Sequence, residues 1–222
     1  MLWTASGLRE YEIYTTEGSA GSIVDEWFDD GDWQIHWFAL NVARLDQRLT
    51  VVPARLIREP DAEQHSLQIA LPLDRLKNRP GTTSEQDLDV MTLLAVDYPY
   101  RLGSSGNFRS PKDVSVRSLR RLTQANVLAL DGEIGPIVDY LVEPSDWSIR
   151  FMVIETGSWW SGRQVLVAPH WNARVHDQKR QVVVDVRRST VRASPPYDPA
   201  MPVDRAQEEA LYHHYGHPLV LT

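Results

Sequence analysis

Cysteine is absent from the 222-residue sequence, so disulfide bonds, thiolate metal sites and thiol nucleophiles are excluded. No apolar run reaches the roughly 18–20 residues that a membrane-spanning helix needs. Residues 1–7 lack the basic and apolar regions of a secretory signal. No Gly-x-Ser-x-Gly motif presents a nucleophilic serine. We therefore expect a soluble, cytoplasmic, non-enzymatic protein that needs no cofactor.

Charge is unevenly distributed along the chain, although the net charge is only −7. Residues 1–100 contain 8 Lys/Arg and 17 Asp/Glu, residues 101–125 contain 6 and 1, and residues 126–222 contain 9 and 12. The two acidic parts repel phosphate backbones, which disfavours nucleic acid as a partner. The basic part favours a linker that docks on the acidic N-terminal part. The alternative is an RNA- or partner-binding arm whose charges are Arg117, Arg120 and Arg121.

One pattern of turn residues occurs twice in the chain. Residues 17–25 read EGSAGSIVD, and residues 131–139 read DGEIGPIVD. The matching positions are 114 residues apart, and they are Gly18 and Gly132, Gly21 and Gly135, Asp25 and Asp139, and Trp33 and Trp147. The chain is therefore interpreted as a tandem repeat, with a domain at 1–100, a basic flexible linker at 101–124 and a second domain at 125–222.

Each repeat is predicted to consist of five or six short strands followed by one helix. The closing helices are expected at 84–98 and 203–215. The strand at 33–42 is apolar on both faces, which indicates a barrel wall that is covered outside or a contact with another lobe. This order predicts a mainly β fold with short helices, namely two tandem small antiparallel β-barrels, each followed by a C-terminal helix.

Several motifs of the second repeat carry a family resemblance. They are DGEIG at 131–135, WSIR at 147–150, ETGSW at 155–159, RQVLVAP at 163–169 and the closing segment at 202–216. In this order they resemble the PRC-barrel family, which includes the cytoplasmic domain of the photosynthetic reaction centre H subunit and a domain of the ribosome maturation factor RimM. The first repeat is a degenerate copy in which residues 43–46 replace the loop at 157–162. The resemblance implies a six-stranded barrel that serves as an adaptor or docking module without catalysis.

Trp159 and Trp160 are the main candidates for partner binding, because two adjacent indoles cannot both face a core. One of them is expected on the surface, where it packs on Trp171 or the other lobe, or anchors a protein partner. Trp171 is counted with Trp159 and Trp160 among the predicted protein-interaction residues. Asp25 and Asp139 are interpreted as structural acceptors for turn amides, since paired catalytic carboxylates would not lie in different repeats.

Three histidines stand at the end of the second closing helix. His213 and His217 have the spacing of helical metal ligands, with His214 between them. Gly216 and Pro218 interrupt the helix at this point, so no metal site is expected.

These patterns favour a protein-interaction module whose partner surface is the loop with Trp159 and Trp160 and the cleft between the lobes. A membrane-associated complex or a ribosomal protein is the partner class that the resemblance implies. The alternatives are an RNA- or ribosome-associated assembly factor that uses the basic segment, and a small-molecule-binding protein that uses the groove between the lobes. Two repeats in one chain would mimic a homodimer of single-barrel relatives, and the expected state is a monomer or a homodimer.

Overall fold

The structure, a computed structural model, describes residues 1–42, 49–79, 81–82, 114–156 and 163–217. It is mainly β with short helices, which confirms the predicted class. In chain order the elements are β1 (Trp3–Thr4), α1 (Ala5–Leu8), β2 (Glu12–Thr15), β3 (Gly18–Asp29), β4 (Gln34–Val42), β5 (Leu49–Pro53), β6 (Ser66–Gln68), α2 (Leu73–Lys77), β7 (Gly81–Thr82), β8 (Val116–Ser118), α3 (Leu119–Leu122), β9 (Asn126–Ala129), β10 (Gly132–Glu143), β11 (Ser148–Glu155), β12 (Gln164–Val167), β13 (Arg174–His176), β14 (Gln181–Val183), α4 (Arg188–Ala193) and α5 (Arg205–Tyr215). The helix predicted at 84–98 lies outside the described residues. Across the part of the chain that is described, none of the helices has both the length and the apolar character to cross a bilayer.

The chain forms two compact units whose segments alternate along the sequence. The N-terminal unit comprises Ala5–Arg120 and Pro144–Ser148. The C-terminal unit comprises Met1–Thr4, Arg121–Glu143 and Ile149–Thr222. Each unit therefore contains most of one repeat together with the short lead-in segment that precedes the other repeat in sequence.

Matching strands are paired in the same way in the two units. In the N-terminal unit, β3 is antiparallel to β2 and β4, β4 is antiparallel to β5, and β6 runs parallel to β2. In the C-terminal unit, β10 lies beside β9 and β11, β11 is antiparallel to β12, and β14 runs parallel to β9. Within the described residues, the named strands of each unit form an open sheet. The shared pairing agrees with the tandem repeat inferred from the 114-residue offset.

The short strands that precede the two repeats, β1 and β8, are exchanged, because each pairs with a strand of the other repeat. Strand β1 pairs with β10, and Thr4 lies opposite Leu141. Strand β8 pairs with β3, and Ser118 lies opposite Trp27. Ser118 follows Thr4 by 114 residues, and Leu141 follows Trp27 by 114 residues, so the two strand pairings are equivalent. Residues 116–122, at the end of the predicted linker, thus form a strand and a helix, while residues 101–113 lie outside the described residues.

The repeat positions are places where the backbone leaves the ordinary right-handed region. Gly21 and Gly135 have φ values of 124° and 153° beside bulges in the antiparallel ladders. A Cβ on Gly21 would lie only 1.9 Å from Asn41 O, so only glycine fits there. Trp33 and Trp147 also match each other, with φ values of 54° and 61° that are uncommon for a non-glycine residue. The pattern of turn residues therefore marks conserved backbone geometry between the two copies.

The predicted double-faced strand is buried on both sides. Trp37 and Ala39 of β4 belong to an apolar cluster with Trp27 and Val51. Partly buried residues cover this cluster, and they are Leu49, Val114 and Val116. Two of these three precede or begin β8, so the lead-in segment supplies the outer cover that the apolar pattern of β4 predicts.

Asp25 of β3 is fully buried, and its carboxylate is held by four hydrogen bonds. The backbone N–H groups of Glu26 and Arg120 donate to Oδ1 at 2.8 and 3.1 Å. The indole Nε1 of Trp27 and the hydroxyl of Ser118 donate to Oδ2 at 3.0 and 2.5 Å. A buried carboxylate without donors would be costly, so these bonds tie the lead-in segment to β3.

Two neighbouring carboxylates hold the same segment. Asp29 is 2 % exposed, and its Oδ1 accepts the backbone N–H of Ser115 at 3.1 Å. Asp30 Oδ2 lies 3.0 Å from the guanidinium Nε of Arg117. This ion pair agrees with the prediction that the basic segment docks on the acidic N-terminal part.

Replacing Ser118 by alanine is expected to lower the free energy of unfolding by about 1–3 kcal/mol, because it removes a donor from a buried charged group. Chemical denaturation of the full chain measures this change. Ser19→Ala is the matched control, since the Ser19 hydroxyl donates to the exposed carboxylate of Glu12, and we expect a change within about 0.5 kcal/mol. Equal effects of the two substitutions would contradict the role given to Ser118.

Candidate functional site

The predicted aromatic anchors divide into two groups. Trp159 and Trp160 lie outside the described residues. Trp171 is 3 % exposed and packs under the closing helix, with its ring centroid 4.4 Å from that of Tyr215 and 5.4 Å from that of Tyr212. The Trp171 indole is therefore a core group that supports α5, and it presents no face for a partner.

The closing helix α5 begins and ends with defined caps. Asp204 Oδ1 accepts the backbone N–H of Gln207 at 2.8 Å, and Gln207 Oε1 accepts the N–H of Asp204 at 3.1 Å, which is a capping box. Gly216 ends the helix with a φ of 73°. The predicted start at 203 is thus two residues early, because Val203 and Asp204 precede the first helical turn.

One face of α5 is fixed on the sheet by packing and by charge. Leu211, Tyr212 and Tyr215 are its buried residues. Glu208 Oε1 accepts from Arg150 of β11, at 2.9 Å from Nε and 2.5 Å from the terminal nitrogen. Both side chains are mostly buried, with exposures of 12 % and 15 %, so the pair orients the helix more strongly than a surface pair would.

A groove opens along one side of α5, within the C-terminal unit. Its cavity volume is about 170 Å³. It is lined by Leu166 of β12, by Pro195, Pro196, Tyr197, Asp198, Met201 and Val203 of the preceding segment, and by Gln207, Ala210 and Leu211 of α5. Most of these side chains are apolar, and Met201 is 57 % exposed. The groove is therefore an apolar depression with one large flexible side chain at its rim.

Hydrogen bonds near the start of β12 hold the segment at 195–203 and the residues just before it. Tyr197 N donates to Gln164 O of β12 at 2.8 Å. The guanidinium of Arg163 donates to the carbonyls of Arg192 and Ser194, each at 2.7 Å. These bonds fix one wall of the groove relative to β12, so the depression is preformed.

The polar groups of the groove are acidic or neutral. Burial raises the pKa of Tyr197, and the negative charges of Asp139 and Asp198 add to the effect. Asp198 Oδ1 accepts the N–H of Ala200 at 2.9 Å, and its side chain is exposed. No Lys or Arg is among the described residues that line the groove. Asp198 is therefore the charged side chain of this lining with which a cationic group could pair.

The three arginines predicted for RNA binding have different surroundings. Arg117 is paired with Asp30. The backbone of Arg120 donates to Asp25, and the side chains of Arg120 and Arg121 are exposed. The Arg117 side chain thus makes an ion pair within the N-terminal unit. Asp139, the repeat partner of Asp25, accepts the backbone N–H of Tyr140 at 2.8 Å.

The histidines at the end of α5 make separate contacts. His214 Nε2 lies 2.9 Å from Thr190 O. The ring of His217 stacks on Trp171 at 5.0 Å between centroids. Within the described residues, no group of three His, Cys, Asp or Glu side chains is placed to hold a metal ion.

Sequence patterns did not single out the groove, because its residues come from a strand, an irregular segment and a helix. The one local signal is the proline-rich run PPYDPAMP at 195–202. No family model matches the chain, and no curated protein matches it. Its function is therefore inferred from the chemistry and geometry of the described residues.

His170 contacts the buried side of α5. Its Nε2 lies 2.6 Å from the hydroxyl oxygen of Tyr212. Part of His170 is exposed to solvent. Desolvation of its ring lowers the pKa of His170 from 6.5 to about 4, and the positive charges of Arg150 and His217 contribute less. Neutral His170 is therefore the form that the folded protein stabilises.

This pKa predicts acid sensitivity in a defined window. The stabilisation is fully present above pH 6.5, and it is lost as the pH falls to about 4, because the unfolded chain takes up the proton first. Chemical denaturation across this window should show a smaller loss for His170→Gln, which retains a hydrogen-bonding side chain but does not titrate. An imidazole NMR signal of His170 that titrates near 6.5 would contradict the assignment.

Proposed function

We propose that the chain is a non-enzymatic protein-interaction module of the PRC-barrel type, and that the groove beside α5 is its docking surface. The observation that carries the proposal is a preformed apolar depression with exposed Met201 at its rim. Interfaces concentrate their binding energy where one side chain of the partner fills such a pocket. Methionine suits this position because its flexible thioether adapts to different partner surfaces.

The size of the groove favours a protein partner over a small molecule. Pockets for drug-sized ligands have volumes of about 300–1,000 Å³. The groove has about 170 Å³, which matches one large side chain rather than a whole metabolite. A partner would anchor one residue there and bury further surface around it.

The barrel architecture belongs to the same proposal. In the N-terminal unit β5 and β6 lie at opposite ends of the ladder β6-β2-β3-β4-β5. The bridge between Ile57 and Ile69 joins the segments that follow these two strands. This bridge supports curvature of the ladder toward a barrel, as the resemblance implies.

The partner classes named by the resemblance, a membrane-associated complex and a ribosomal protein, make different demands. An assembly factor that binds RNA would use the basic segment, but Arg117 of that segment is paired with Asp30. This pairing favours a protein partner that docks through apolar surface. A cytoplasmic location remains a prediction from the sequence.

Filling the groove tests the proposal. Ala210 lines the groove from an exposed position on α5, so Ala210→Leu occupies it without altering the core. We expect the full chain with this substitution to lose about tenfold or more in affinity for the partner, as truncations and blocks at anchor pockets do. Affinity purification from the native lysate at high salt identifies the partner, and calorimetry with the purified partner measures the affinity.

Ala206→Leu provides the matched control. Ala206 lies one turn earlier on the same helix, is exposed, and is not part of the groove lining. The control should bind like the unsubstituted chain. Equal affinities for Ala210→Leu and Ala206→Leu would remove the groove from the interface.

A further inference from the structure

The backbone of Leu166 faces the groove edge of the sheet. Thr156 N donates to Arg163 O at 2.8 Å, so this pair is hydrogen-bonded across the β11–β12 hairpin. Such pairs alternate along an antiparallel ladder, which turns the N–H and C=O groups of Gln164 and Leu166 outward. The bond from Tyr197 N to Gln164 O lies on this outer side. None of the described residues donates a hydrogen bond to Leu166 O.

The first repeat shows which group fits at the equivalent carbonyl. Val51 lies opposite Ala39 in the N-terminal unit, and Leu166 lies opposite Val153 in the C-terminal unit. Ala39 and Val153 are 114 residues apart, so Val51 and Leu166 are equivalent. Arg79 Nε donates to Val51 O at 3.1 Å. The N-terminal unit therefore satisfies this carbonyl with an arginine of its own.

The second repeat has no arginine at the corresponding position. Leu49 of β5 pairs with Thr82, and Gln164 of β12 is hydrogen-bonded to Tyr197. Gln164 follows Leu49 by 115 residues, and Tyr197 follows Thr82 by 115 residues, so the segments outside β5 and β12 correspond with an offset of 115. The same offset from Arg79 gives Ser194, which is 1 % exposed. Its side chain is too short to reach the carbonyl as the guanidinium of Arg79 does. The C-terminal unit thus keeps the carbonyl and the adjoining groove without the arginine.

The groove offers the other contacts that an arginine side chain uses. Its apolar walls suit the aliphatic stem, and exposed Asp198 at the lining supplies a negative charge. Guanidinium groups form their strongest hydrogen bonds with carboxylates and bond readily to backbone carbonyls. A neutral apolar side chain would leave Leu166 O without a donor and the charge of Asp198 without a counter-charge in the groove.

We propose that the groove recognises an arginine side chain of the partner protein, which donates to Leu166 O and places its charge against Asp198. This inference rests on the proposed docking function and specifies the partner residue. In the C-terminal unit the partner's arginine would donate to the carbonyl that corresponds to Val51 O, to which Arg79 donates in the N-terminal unit.

Peptide pools test this specificity with the full chain. Four pools of acetylated heptapeptides have randomised flanks and a fixed central arginine, lysine, citrulline or norleucine. Titration of each pool is followed by the amide NMR signals of Leu166, Tyr197 and Met201. The arginine pool should shift these signals at concentrations about tenfold lower than the citrulline pool, because citrulline lacks the positive charge and has a carbonyl oxygen in place of one NH2 donor group.

Asp198→Asn should weaken binding of the arginine pool severalfold and leave the norleucine pool unchanged. The substitution keeps the oxygen that accepts the N–H of Ala200. Asp61→Asn is the control, because exposed Asp61 likewise accepts backbone N–H groups, from Glu63 and Gln64 at 3.0 Å, in the N-terminal unit. Both substitutions remove one charge, so a loss shared by the two variants would reflect net charge and overturn the role of Asp198.

The outcomes separate this inference from the docking function. Equal shifts with the arginine and norleucine pools overturn the arginine specificity but leave the groove as a docking surface. If no pool shifts the three signals, arginine recognition is overturned, and the comparison of Ala210→Leu with Ala206→Leu decides the docking function by itself. A preference for lysine equal to that for arginine shows a site for any cation and also overturns the proposal.

Discussion

The buried carboxylate of Asp25 can leave water only if donors surround it, and two of its four donors come from a segment more than 90 residues later in the chain. Ser118 and Arg120 thereby fasten the lead-in of the second repeat to β3. Asp29 and Asp30 extend the same arrangement to Ser115 and Arg117. One basic side chain of this segment, that of Arg117, thus pairs with the acidic strand on which the segment lies. Because β1 makes the equivalent pairing with β10, each unit depends on a strand that its own repeat does not supply.

The two copies differ in structure where the repeat is imperfect. The same outward-facing carbonyl occurs in β5 and β12, yet Arg79 satisfies only the first of them. The position of Arg79 corresponds to Ser194 in the second copy, where a groove with apolar walls and a carboxylate lies beside α5. The proposed partner residue follows from the chemistry of the group that is retained in the other copy.

The sequence predicts the features that depend on local backbone geometry. Glycines at 18, 21, 132 and 135 and tryptophans at 33 and 147 fall at positive φ, so their spacing revealed both the repeat and the mainly β class. The C-terminal end of α5 was also visible, through Gly216. The exchange of the lead-in strands could not be predicted from the sequence. The offset of 114 is the same whether a lead-in strand pairs with its own repeat or with the other one. The groove was missed for a related reason: Leu166, Tyr197 and Ala210 come together only through tertiary packing, and none of them is unusual in its local sequence. Trp171 was predicted to take part in protein interaction, and the structure buries its side chain in the aromatic packing of α5.

Hydrogen exchange on a chain that lacks residues 1–4 tests the exchanged architecture most directly. These residues adjoin the first repeat in sequence, but β1 pairs with β10 of the C-terminal unit. Amide protection should therefore fall in β9 and β10 and persist in β3 and β4. Loss of protection in β3 and β4 with β9 and β10 unchanged would show that the lead-in belongs to its own repeat, and would contradict the account.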